Sequence, residues 1–154
     1  VALAFINEQE IGNNQGFASK IFEQMMKAVG WKGGEAWCMY FAKSVWMQAF
    51  PKKAALISKY LTGSTQTSWK NAIANPGVFK VITDGRPMAG DIVIWQSITN
   101  PVNGHAGILK KKDNGDYYQV IEGNTSLQGV RDGQGSCADP EGGVVPHVES
   151  HSAG

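Results

Sequence analysis

The chain has 154 residues, of which 42% are hydrophobic, and this is enough for one domain whose core needs no disulfide or metal ion. Its 14 basic residues are almost balanced by 13 acidic ones, so no strong field favours nucleic acid or an anionic membrane surface. No apolar stretch approaches the roughly 20 residues that a membrane span requires. We therefore expect a single domain over residues 1–154, monomeric, with no nucleic-acid partner and no membrane span.

The first half of the chain has the apolar spacing of amphipathic helices. In two segments, apolar residues recur at intervals of three and four, which places them on one face of a helix. Gly30 is expected to end the first of these helices and Pro51 the second. Cys38 then falls in the first turn of the second helix. The predicted helices cover residues 18–29, 38–49, 54–61 and 68–74.

The second half is typical of strands. Short β-branched and aromatic segments alternate with turns rich in Gly, Pro, Asn and Asp, and the predicted strands cover residues 78–82, 91–96, 105–112 and 117–123. From about residue 128 onward Gly, Ser and Pro are frequent, which predicts an irregular C-terminal segment over 128–154. Helices followed by strands indicate an α+β fold, with N-terminal helices packed on a C-terminal antiparallel sheet.

A hairpin prediction gathers polar residues on one sheet face. The dipeptide Asn114-Gly115 is typical of a two-residue turn with positive φ at both positions. Pairing back from that turn places His105 opposite Asn124, with Glu122 two residues earlier on the same face. A bulge would shift this register. An ordinary strand-end histidine beside a solvated carboxylate is the alternative interpretation, and it holds unless a reactive group faces the cluster.

Cys38 is the candidate for that group. The positive end of a helix and a nearby imidazolium both favour a thiolate, and the unpaired N–H groups of the first turn can bind an oxyanion. His105 would then act as the base, while Glu122 or Asn124 would hold the other ring nitrogen. Trp37, beside the thiol, either lines the cleft or belongs to the core.

Four blocks in series resemble a known family. The blocks are GEAWCMYFAKSVW, PMAGDIVIW, GHAGIL and VIEGNTS, and together they are similar to the CHAP family, the cysteine, histidine-dependent amidohydrolases/peptidases of bacterial and phage cell-wall hydrolases. The resemblance covers roughly residues 5 to 135 and implies a papain-like α+β fold. By motif position it implies Cys38 as nucleophile, His105 as base, Glu122 as acidic partner and Asn124 as the associated amide.

The resemblance also suggests substrate-binding residues. It places the segment EIGNNQG near the site, where Asn13 or Asn14 would contact substrate or assist the oxyanion, although both asparagines also suit a turn. Trp37 and Trp95, which lie in the first two blocks, are the other expected substrate contacts.

The implied function is peptidoglycan hydrolysis at the bacterial cell wall, without cofactor or metal, by a secreted, periplasmic or phage-delivered enzyme. The bond would be an amide, cut either by an N-acetylmuramoyl-L-alanine amidase or by a stem or cross-bridge endopeptidase. A non-catalytic cell-wall-binding or assembly module that retains the fold is the alternative. A metal site built from Cys38, His105 and Glu122 is less favoured because no short-spaced ligand pair is present. A disulfide between Cys38 and Cys137 would abolish the proposed activity.

Overall fold

The computed structural model describes residues 1–83, 86–96, 104–112, 117–123, 131–136 and 147–150. Within these ranges four α-helices precede six strands, which confirms the predicted α+β fold with N-terminal helices on an antiparallel sheet. The helices are α1 (Lys20–Ala28), α2 (Cys38–Ala49), α3 (Ala54–Tyr60) and α4 (Thr65–Ala74). The strands are β1 (Phe79–Ile82), β2 (Ile92–Gln96), β3 (Gly104–Lys112), β4 (Tyr117–Glu122), β5 (Arg131–Ser136) and β6 (His147–Ser150). Two short 3-10 helices cover Ala2–Phe5 and Pro51–Lys53.

The strands form one sheet in the order β1-β6-β2-β3-β4-β5, and every pairing between neighbours is antiparallel. The prediction of irregular structure throughout residues 128–154 is wrong for β5 and β6, which are strands. The sequence of β5, RDGQGS, has two glycines and no large apolar residue, so no hydrophobic alternation marks it as a strand. Its pairing with β4 depends instead on backbone hydrogen bonds, which leave no signature in the side chains.

Helix α1 begins where its sequence provides a cap. The Ser19 hydroxyl accepts a hydrogen bond from the Phe22 N–H at 3.2 Å, and this satisfies one of the unpaired donors of the first turn. Phe22 and Met26 form the buried stripe. The apolar spacing over residues 18–29 also places Ile21 on that face, and this prediction is wrong: Ile21 is 82% exposed, because consecutive residues of a helix point about 100° apart.

Helix α2 is buried on almost all sides rather than on one face. Eight of its side chains are buried, in the order Cys38, Met39, Phe41, Ala42, Lys43, Ser44, Val45 and Trp46. It contacts α1 and α3 as well as strands β3 and β4, so it lies at the centre of the helical layer. Burial lowers the pKa of Lys43, whose Nζ donates to the Val29 carbonyl oxygen at 3.1 Å, at the end of α1.

Side chains of the central strands alternate between two apolar clusters. Those of Ile92, Ile94, Ala106, Ile108 and Ile121 join the helical core, whereas those of Val93, Trp95, Leu109 and Val120 form a smaller cluster. Because neighbouring residues of a strand point to opposite faces, the two clusters lie on opposite faces of the sheet. No helix in the described ranges has the length and hydropathy of a membrane span.

Candidate active site

Cys38 is the first residue of α2 and carries a free thiol that is 4% exposed. No side chain caps the helix at Trp37, the residue before it. The N–H groups of the first turn have no carbonyl partner within a helix, so they concentrate positive charge beside the sulfur. The sequence prediction that Cys38 lies in the first turn of a helix is confirmed.

Trp37 belongs to the core beneath the thiol. Its side chain is fully buried, and its ring packs edge-on against Phe17 at 4.9 Å and Phe22 at 5.7 Å between centroids. A Cβ at Gly123, at the end of β4, would collide with the same ring. These contacts favour the core interpretation of Trp37, and contact of its ring with substrate stays a prediction.

His105 and Glu122 meet across β3 and β4. The Nε2 atom of His105 lies 3.0 Å from Oε2 of Glu122, and both side chains are largely shielded from solvent. The register next to this pair is the predicted one, since Ile108 pairs with Ile121. Between Leu109 and Lys111 a bulge interrupts the ladder, and on the turn side of this bulge the pairing is displaced by one residue. The fourth predicted site residue, Asn124, lies outside the described residues.

The thiol of Cys38 completes the arrangement. Burial alone would lower the pKa of His105, but hydrogen bonds to Cys38 and Glu122, together with their charges, outweigh it and raise the pKa to about 10. His105 is therefore an imidazolium at neutral pH. Because Nε2 faces Glu122, the remaining ring nitrogen, Nδ1, is the one available to Cys38.

Trp95 lies against the histidine rather than in an open cleft. It pairs directly with His105 across β2 and β3, and the two rings are stacked with centroids 5.7 Å apart and planes 29° apart. Trp95 is only 3% exposed, and its contact with substrate stays a prediction. The contact with His105 was not predicted, because it depends on the β2–β3 register, which no turn signal specifies.

The segment containing Asn13 and Asn14 is a compact loop closed by a bridge between Glu10 and Phe17. Asn14 has a φ of 60°, its N–H donates to the Glu10 carboxylate at 2.8 Å, and its carbonyl accepts from the N–H of Gly34 at 2.6 Å. The turn-forming role left open by the sequence therefore holds for Asn14. This loop is also attached to the segment just before Cys38.

The two asparagines differ in their surroundings. Asn13 is exposed, and its carbonyl accepts from the side chain of Gln15 at 3.0 Å. The Oδ1 atom of Asn14 is buried with no hydrogen-bond partner in the described part of the chain. Contact of either asparagine with substrate or oxyanion stays a prediction.

The donor set can also be assessed for metal binding. Among the described residues, no group of three or more His, Cys, Asp or Glu side chains is arranged to hold a metal ion. Instead, the thiol of Cys38 at the start of α2 contacts the imidazolium of His105, which in turn contacts the carboxylate of Glu122. Such an arrangement suits nucleophilic attack followed by proton transfer.

Comparison with known proteins identifies the family of the chain. The family model for the CHAP domain matches residues 29–124, so the chain belongs to the CHAP family, whose members in general are peptidoglycan hydrolases and peptidases. Among solved structures, "The crystal structure of Ly7917" is similar in fold, with a TM-score of 0.53 and 23% identity. The match covers 73% of this chain and 53% of that one, so this chain spans about half the length of Ly7917. A comparison with curated proteins gives no match.

Proposed function

We propose that the protein hydrolyses an amide bond of peptidoglycan, with Cys38 as the nucleophile. The observation that carries the proposal is the placement of a helix-terminal thiol within hydrogen-bonding reach of His105, which is itself held by Glu122 at 3.0 Å. Membership of the CHAP family supports cell-wall peptidoglycan as the substrate class.

In the first half of the reaction, the Cys38 thiolate attacks the carbonyl carbon of the scissile amide. N–H groups at the start of α2 stabilise the oxyanion, since they have no helical partner. The His105 imidazolium then donates its Nδ1 proton to the leaving amine, the C–N bond breaks, and a thioester on Cys38 remains. Glu122 keeps the ring oriented by accepting from Nε2.

In the second half, neutral His105 takes a proton from water, and the resulting hydroxide attacks the thioester carbonyl. Collapse of this intermediate releases a carboxylic acid and restores the thiolate beside the imidazolium. No redox partner or cofactor is required to balance either half.

The proposal is tested on purified peptidoglycan by turbidity loss or dye release. Cys38→Ala should abolish hydrolysis, whereas Cys137→Ala, which removes the other cysteine, should retain it. Iodoacetamide should inactivate the wild type, and EDTA should leave it active. Equal hydrolysis by wild type and Cys38→Ala would remove Cys38 as nucleophile.

The same digests identify the bond. Mass spectrometry of the fragments distinguishes an N-acetylmuramoyl-L-alanine amidase, which releases free N-terminal L-alanine, from a stem or cross-bridge endopeptidase, which creates another amino terminus. A non-catalytic wall-binding module is the second candidate, and it predicts that peptidoglycan is bound but that no new terminus appears.

A further inference from the structure

We propose that Trp95 is a positioning residue that holds the imidazolium of His105 against its indole face, and this inference rests on the proposed function of His105. The observations are the direct pairing of the two residues across β2 and β3 and the stacking of their rings at 5.7 Å. This assigns Trp95 a role in the chemistry and none in holding substrate.

The geometry meets the conditions of a cation–π contact. A cation within about 6 Å of an aromatic centroid, over the ring face, is attracted by the negative potential of that face, most strongly for tryptophan. The 29° angle between the planes makes the contact a stacked one rather than an edge-on one. Trp95 therefore stabilises the protonated form of His105 relative to the neutral form.

Trp95 is itself held in place by packing. It is 3% exposed and shares its cluster with Val93, Leu109 and Val120. A side chain packed in this way has little rotamer freedom, so its face is a fixed surface for the histidine. Glu122 fixes the imidazole within its plane through Nε2, while Trp95 fixes the plane itself. Together the two contacts aim Nδ1 at Cys38.

The decisive measurement is the pKa of His105 in the protein without substrate, obtained from an NMR titration of the imidazole ring protons. The chain has three histidines, so the His105 signal can be assigned by its loss in His105→Gln. Trp95→Leu keeps an apolar side chain but removes the ring face, and it should lower the His105 pKa by about one unit. Trp95→Phe keeps a ring face and should lie between the two. Ile94→Ala is the matched control, because it removes buried apolar volume from the same strand but on the opposite face of the sheet from the stacked pair.

Kinetics give a second readout. Trp95→Leu should reduce kcat by about tenfold with little change in KM, since the imidazolium would no longer be held with Nδ1 towards Cys38, whereas substrate binding does not depend on that orientation. An unchanged His105 pKa, or a raised KM with unchanged kcat, would overturn the inference and return Trp95 to substrate binding. If Trp95→Leu fails to fold, Trp95→Met and Trp95→Phe provide the same comparison of side chains with and without a ring.

The outcome for Trp95 is separable from that of the proposed function. The pKa is measured without substrate, so it tests the stacking even if the protein hydrolyses nothing. Conversely, loss of hydrolysis in Cys38→Ala together with a His105 pKa that is insensitive to Trp95 would leave the proposed function intact and refute this inference alone.

Discussion

The ring of Trp37 occupies the space that a side chain on Gly123 would need. Gly123→Ala should therefore force either the ring or the end of β4 to move, at a cost of about 1–3 kcal/mol in the free energy of unfolding. Urea denaturation measures this loss. Because Trp37 precedes Cys38, kcat should fall as well.

Gly77→Ala is the matched control for that substitution. A Cβ at Gly77 meets no atom within 4 Å, so this variant should keep the stability of the wild type. If the urea denaturation midpoints of Gly123→Ala and Gly77→Ala were similar, the Trp37 ring would not be packed tightly against Gly123.

Replacement of Glu122 by glutamine keeps an acceptor for Nε2 of His105 but removes the negative charge. Because that charge and hydrogen bond raise the His105 pKa, Glu122→Gln should lower it. Exchange of a charge-assisted hydrogen bond for a neutral one should reduce kcat by about tenfold. Glu23→Gln removes a carboxylate that bonds to Lys27 and the Phe17 N–H, and it should leave the pKa of His105 unchanged.

The rate of hydrolysis should depend on pH through His105. Proton donation to the leaving amine requires the imidazolium, and the pKa of His105 is raised to about 10. Activity should therefore persist through neutral pH and fall as the pH rises through about 10. In Glu122→Gln this alkaline fall should move to lower pH. A wild-type fall near the ordinary histidine pKa of about 6.5 would show that His105 is not paired as described.

Lys43 gives a prediction about stability. Burial lowers its pKa in the folded state, so the unfolded chain binds more protons below the ordinary lysine pKa. The free energy of unfolding should then rise with pH as folded Lys43 loses its proton. Measured against Lys43→Met, the wild type should gain stability between neutral pH and the ordinary lysine pKa.

The control for Lys43 is Lys70→Met, which replaces an exposed lysine and should show a constant difference from the wild type over that range. If the difference in free energy of unfolding between the wild type and Lys43→Met were also independent of pH, burial of the Lys43 ammonium would carry no desolvation penalty.

The parts of the site that follow from local rules were predicted from the sequence. Helical spacing located Cys38 in the first turn of α2, and the hairpin prediction gave the Ile108–Ile121 register that brings His105 to Glu122. Next to the turn that prediction is wrong, because Lys112 pairs with Tyr118 rather than with Tyr117. The bulge near Leu109 was not predicted, because no residue type specifies it. The contact of Trp95 with His105 requires the pairing of β2 with β3, which follows from tertiary packing.

The sheet order shows a similar limit. β6 comes from the tail yet lies between β1 and β2, and no local pattern specifies which partner a strand finds when it returns from far along the chain. The exposed Ile21 shows a related limit for helices, since apolar spacing placed it on the buried face but does not specify how wide that face is.

Because α2 is buried on almost all sides, the position of the attacking sulfur does not depend on the segments that surround the site, which are free to vary. The Cys38 sulfur lies at the first residue of α2, and α2 packs against both helices and strands. The position of the sulfur is therefore set by the same packing that stabilises the fold. Segments at the rim of the site can then be exchanged for others, and new wall chemistries selected, without moving the attacking atom.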